Sequence, residues 1–79
     1  MANRYKSIGE QLLAMREALS LTREVVAKRA GVSSSLMRQI ELGYTDSPGT
    51  KAVGRIAKAL GCIVVIYSAE RICVEALPQ

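Results

Sequence analysis

The strongest constraint lies between Arg23 and Leu42. Ala27 and Gly31 stand four residues apart inside a frame of apolar positions, Val26, Ala30, Val32, Met37 and Ile40. Two short helices that cross closely over a tight turn need this set. A small side chain is required where the helices approach, and Ala27 supplies it. The chain must then turn through a left-handed conformation, which glycine adopts without a Cβ penalty, and Gly31 supplies that. Two caps stand in register, Thr22 before the first helix and Ser33 before the second. Chance would often reproduce the apolar spacing of an ordinary helical hairpin, but less often Ala, Gly and both caps together.

Helical patterns continue on both sides. Ser7-Ile8-Gly9-Glu10 has capping-box form, with Ser7 as N-cap and Glu10 reaching back. Ile8, Leu12, Met15 and Leu19 then make one apolar stripe, which predicts a first helix over about residues 8–19. A second helix follows Thr22 and ends at Gly31. A third runs from Ser34 to about Leu42, stopped by Gly43, with Val32 and Met37 as a hydrophobic staple. Residues 44–49 read as a loop from their turn-forming types. A fourth helix spans about Thr50 to Leu60, with Val53, Ile56, Ala57 and Leu60 inward and Gly61 closing it. Gly54 weakens that helix by about 1 kcal/mol relative to alanine.

After Gly61 the pattern changes. Cys62-Ile63-Val64-Val65-Ile66-Tyr67 is a run of apolar, mostly β-branched residues, which predicts a strand apolar on both faces. A lone strand cannot satisfy its backbone groups, and no other segment is a strong strand. Residues 68–77 fit two patterns. Ile72, Cys73, Ala76 and Leu77 form a helical stripe after a Ser68 cap; Ile72, Val74 and Ala76 equally form one face of a strand. No Asn-Gly or Asp-Gly marks a hairpin, which tips the reading toward a short helix or irregular end.

Size and charge narrow the function. A chain of 79 residues, 49% hydrophobic, makes one small domain without a deep cleft. No apolar run approaches the roughly 18 residues of a membrane span. The start carries charges with no apolar stretch behind them, so it does not read as a signal peptide, and a cytoplasmic location is expected. Eleven Lys and Arg against seven Asp and Glu give +4. Residues 1–61 hold ten basic and five acidic groups, net +5; residues 62–79 hold Arg71 against Glu70 and Glu75, net −1. The basic part suits an anionic partner. With no histidine, Ser–His and Cys–His nucleophilic pairs are excluded. The seven carboxylates show no paired spacing, and there is no Gly-rich phosphate loop. Nothing implies an enzyme, a metal or a cofactor. Cys62 and Cys73 read as reduced thiols, with a disulfide open as an alternative if the tail folds back.

Residues 8–61 resemble the lambda-repressor-like helix–turn–helix family, also called the XRE family, which includes phage repressors and Cro proteins. The resemblance rests on Ile8-Gly9-Glu10, Arg16-Glu17, Leu21-Thr22, Ala27, Gly31-Val32-Ser33, Ile40-Glu41, Gly43, Pro48 and Ile56-Ala57-Lys58-Ala59-Leu60-Gly61. It departs at the loop from Tyr44 to Ser47, one residue longer than usual, and at Leu42, where family members often carry a polar residue. The resemblance implies a mainly α fold, a bundle of four or five helices over residues 1–61, and dimeric binding to operator DNA. To it this chain adds a short C-terminal strand within residues 62–79.

The third helix would then enter the major groove. With Met37 and Ile40 inward, Ser34, Ser35, Arg38 and Gln39 face outward as base readers; Arg suits guanine O6 and N7, and Gln suits adenine N6 and N7. Phosphate contacts are expected from Thr22 and Arg23 at a helix N-terminus, from Ser33, from Tyr44, and from an N-terminal arm carrying Arg4 and Lys6. The resemblance also implies a buried structural ion pair between Arg16 and Glu41. Ile63, Val64, Val65, Ile66 and Tyr67 are expected to pair with their copies across a two-fold axis, giving a homodimer; the other reading packs the strand on its own core.

The function expected is a homodimeric repressor of a phage, plasmid or mobile-element promoter, binding double-stranded DNA at a palindromic operator. The alternatives are an antitoxin or adaptor that mainly binds a protein partner such as a toxin, and a restriction–modification controller.

Overall fold

A computed structural model describes residues 7–44, 49–68 and 71–77. Four helices come first: α1 Ile8–Ala18, α2 Arg23–Ala30, α3 Ser34–Glu41 and α4 Thr50–Ala59. Two strands follow, β1 Cys62–Ser68 and β2 Arg71–Ala76, paired antiparallel. The fold is a small helical bundle closed by a two-stranded sheet, and no helix among the described residues is long and apolar enough to cross a membrane.

The caps work as the sequence implies. Ser7 Oγ accepts from Glu10 N–H at 3.2 Å while Ser7 N–H donates to Glu10 Oε1 at 3.0 Å, a reciprocal capping box. Thr22 Oγ1 accepts from Val25 N–H at 3.2 Å, and Ser33 Oγ accepts from Leu36 N–H at 3.0 Å. The turn between α2 and α3 is a Schellman ending. Gly31 sits at φ 72°, Gly31 N–H donates to Lys28 C=O and Val32 N–H to Ala27 C=O.

The first helix is one residue shorter than its stripe suggests, for the same kind of reason. Ser20 N–H donates to Glu17 C=O and Leu21 N–H to Arg16 C=O, which makes a Schellman ending with Ser20 at φ 57°. Leu19 therefore caps the helix and is 47% exposed instead of completing the apolar stripe. No glycine marks this end, so nothing in the residue types signals it.

The core is formed by Leu12, Val26, Met37, Ile40 and Ile56, all essentially inaccessible, with Ala27, Ala57 and Leu60 around them. Helix α2 packs on α3 and α4, and α1 packs on α3. Gly9 fixes the α1–α3 approach: a Cβ there would stand 1.9 Å from the carbonyl oxygen of Ile40.

The tail corrects the expectation of a short helix or irregular end. Residues 71–76 form β2, and β1 finds its partner within its own chain. Cys62 lies opposite Ala76, Val64 opposite Val74 and Ile66 opposite Ile72, with an irregularity between Ile66 and Ser68. The connection carries no strong hairpin dipeptide, and cross-strand apolar pairing decides the structure instead. Strand β1 lies against α4 and β2 against α1, so Cys62 joins the core and Val64 and Val74 pack on it. Cys73 lies opposite Val65, one position out of phase with Cys62, and so belongs to the other face of the sheet. Both cysteines are free thiols.

Candidate nucleic-acid interface

Helix α3 has two unlike faces. Leu36, Met37, Ile40 and Glu41 turn toward the bundle, whereas Ser34, Ser35, Arg38 and Gln39 are all exposed. The division follows from the helical period: positions 37, 40 and 41 share one side, and 34, 35, 38 and 39 share the other. All four residues expected to read bases therefore stand together on one solvent-facing surface.

Glu41 anchors the helix from behind. It is 3% exposed and carries two arginines. Arg16 Nε donates to Glu41 Oε2 at 2.7 Å and Arg16 Nη2 to Oε1 at 3.1 Å, a bidentate fork. The remaining terminal nitrogen, Nη1, donates to Leu21 C=O at 2.8 Å. Arg23 Nε donates to Glu41 Oε1 at 2.9 Å. One carboxylate thus ties α1, α2 and α3 at a single point. The hydrogen bond to Glu41 holds the Arg16 guanidinium pKa above its ordinary value, so its charge is permanent. Among the described residues no buried side-chain polar atom lacks a partner, which is the condition under which a buried ion pair is tolerated.

The Arg16–Glu41 bridge has the form that the family resemblance implies. Arg23 is the part that sequence reasoning missed: expected on phosphate, its Nε is bonded to Glu41. The two arginines share this one carboxylate beside the N-terminus of α2, whose first turn also carries Glu24. Thr22 and Ser33 use their hydroxyl oxygens as helix caps, and each hydroxyl keeps its proton for an outside acceptor.

Tyr44 is placed by the end of α3. Gly43 turns at φ 74°, and Tyr44 N–H donates to Gln39 C=O at 2.9 Å. The Tyr44 ring then lies 6.0 Å from the Arg38 guanidinium, at the outer limit of a cation–π contact. A residue expected on phosphate is therefore also a rest for Arg38, a side chain expected to read bases. Arg4 and Lys6 lie outside the described residues.

The family comparison agrees with this geometry. A family model described as a helix-turn-helix domain matches residues 7–63. That span holds all four helices, both Schellman glycines flanking α3 and the Glu41 bridge. No curated protein shows a significant match to the chain. The family match is consistent with the lambda-repressor-like resemblance and suggests DNA binding. By the match over most of its length and the two capped helices about Gly31, the chain belongs to the helix-turn-helix domain family.

Proposed function

We propose that this protein is a sequence-specific regulator of transcription that binds double-stranded DNA as a homodimer, most simply as a repressor. The observation that carries the reading is the exposed quartet Ser34, Ser35, Arg38 and Gln39 on a helix held from behind by a buried carboxylate. Arg38 takes guanine and Gln39 takes adenine, each through two hydrogen bonds. The serines follow the groove with little selectivity of their own. Thr22, Ser33 and Tyr44 lie around the reading helix and meet phosphates, with Arg23 adding charge from the start of α2. Arg4 and Lys6 extend the contact along the backbone.

One copy offers one reading helix. Two copies joined through β1 about a two-fold axis present two, spaced for half-sites about one helical turn apart. Binding weakens steeply with salt, because each neutralised phosphate releases counterions.

Selection of random duplex DNA on the purified protein tests this directly. The expected result is an enriched palindrome. Arg38→Ala then relaxes the preference for one base pair by about 1–3 kcal/mol, while non-specific affinity changes far less. Absence of any enriched sequence would sink the reading and favour an adaptor or antitoxin whose main contact is a protein.

A further inference from the structure

The two outer edges of the hairpin are treated differently. Val74 N–H donates to Gln11 Oε1 at 2.7 Å, and Ile72 C=O accepts from Gln11 Nε2 at 2.6 Å. Both backbone groups therefore point away from β1. In an antiparallel ladder, opposed residues alternate between exchanging hydrogen bonds and turning their groups outward together. Val64 lies opposite Val74 and Ile66 opposite Ile72. Val64 and Ile66 thus turn their own N–H and C=O out from the far edge of β1. Leu77 N–H donating to Gly61 C=O at 3.2 Å has the same phase. On β2, a carboxamide held out from α1 supplies one donor and one acceptor where a third strand would. On β1, no described residue bonds to the outward groups of Val64 or Ile66.

We propose that Gln11 is an edge clamp: it closes β2 to strand addition and leaves β1 as the edge through which a second copy of this chain extends the sheet, β1 against β1 about a two-fold axis at Val65. The inference rests on the homodimer reading above and deepens it, fixing the edge, the register and the residue that selects them. Three observations favour a second copy as occupant. The outward groups of Val64 and Ile66 are symmetric about Val65, so two copies exchange roughly four backbone hydrogen bonds without a gap. Strand β1 carries no charged residue, so self-pairing opposes no like charges, whereas β2 carries Arg71 and Glu75. Exposed edges are ordinarily guarded by charge or proline, and β1 has neither. Ile66, 66% exposed in the single chain, lands opposite Val64 of the other copy and is covered by it.

Sedimentation equilibrium of the full chain, combined with amide hydrogen exchange, tests the clamp and the edge separately. The wild type is expected at twice the chain mass, with Val64, Ile66 and Val74 amides protected. Ile66→Pro removes an N–H that faces outward, a position where an edge strand tolerates proline; it should sediment as a single chain with Ile63 and Val65 amides still protected. Ile66→Arg, which sets like charges across the axis, gives the same result without proline. In Gln11→Ala the Val74 amide should exchange about five- to tenfold faster, the loss of one net hydrogen bond, and the sample should grow beyond the dimer as both edges open. A dimer that survives both Ile66 variants overturns the edge. A Gln11→Ala protein that stays a strict dimer with Val74 protected overturns the clamp and leaves the dimer standing. A wild type that sediments as one chain overturns the homodimer reading itself.

Discussion

The helical part and the hairpin solve the same problem in different ways. Among the helices, most of the apolar side chains are shut inside the bundle, Leu19, Val25 and Leu42 standing partly exposed at its surface, and helix ends are closed by Ser7, Thr22, Ser33 and three Schellman turns. The buried carboxylate of Glu41 is saturated with arginine. In the hairpin, one face meets the bundle while Ile63, Ile66 and Tyr67 stay exposed. One edge borrows its hydrogen bonds from a helix side chain. Local capping and close packing complete the first region within the chain; the second carries apolar surface that one chain does not cover. Substitutions in the helices should therefore register in stability at any concentration, and those on the hairpin surface chiefly in association.

The largest expected effect is at the junction of the three helices. Glu41→Ala leaves Arg16 and Arg23 without their acceptor and should cost about 3–5 kcal/mol. That is much of the stability of a small domain, so thermal denaturation should show an unfolded or loosened protein. An unchanged melting temperature would break the idea that the bridge holds the bundle together. Gly9→Ala comes next. Its Cβ would collide with the Ile40 carbonyl, and forcing α1 and α3 apart should cost about 1–3 kcal/mol in urea denaturation.

Smaller effects sharpen the contrast. Ser20 holds a left-handed conformation that glycine adopts more easily, so Ser20→Gly should raise stability by roughly 0.5–1 kcal/mol. A destabilised variant would show that the serine side chain, not the turn, matters there. The smallest effect concerns the junction with the hairpin. Burial pushes the Cys62 thiol pKa up. In the unfolded chain the thiol ionises from about pH 8.5; in the folded chain it holds its proton to higher pH. Stability is therefore full below the unfolded value and falls as pH rises toward the folded one. Denaturation midpoints should decline in that alkaline range, and Cys62→Ala should remove part of the slope. An unchanged slope would place Cys62 outside the core.

What could be read from the sequence was what depends on near neighbours. Thr22, Ala27, Gly31 and Ser33 each answer a local demand, so the helix pair and its outward quartet were legible. The Arg16–Glu41 bridge came through family resemblance, since nothing within either helix points to a partner 25 residues away. What escaped depends on distant pairing. Gln11 meets β2 across more than 60 residues, and no periodicity in α1 announces it. The end of α1 escaped because Ser20 takes a conformation that its residue type does not advertise. The second strand escaped because residues 71–76 satisfy two periods at once, and only β1 decides between them.

The division of α3 into an anchored side and an open side has a consequence for descent. Substitutions at Ser34, Ser35, Arg38 and Gln39 alter no buried contact, whereas Met37, Ile40 and Glu41 are fixed by the bundle. On the proposed DNA-binding reading, target and scaffold therefore drift independently. A lineage carrying this frame could acquire a new recognition sequence through four surface positions, keeping its folding, its caps and its sheet unchanged.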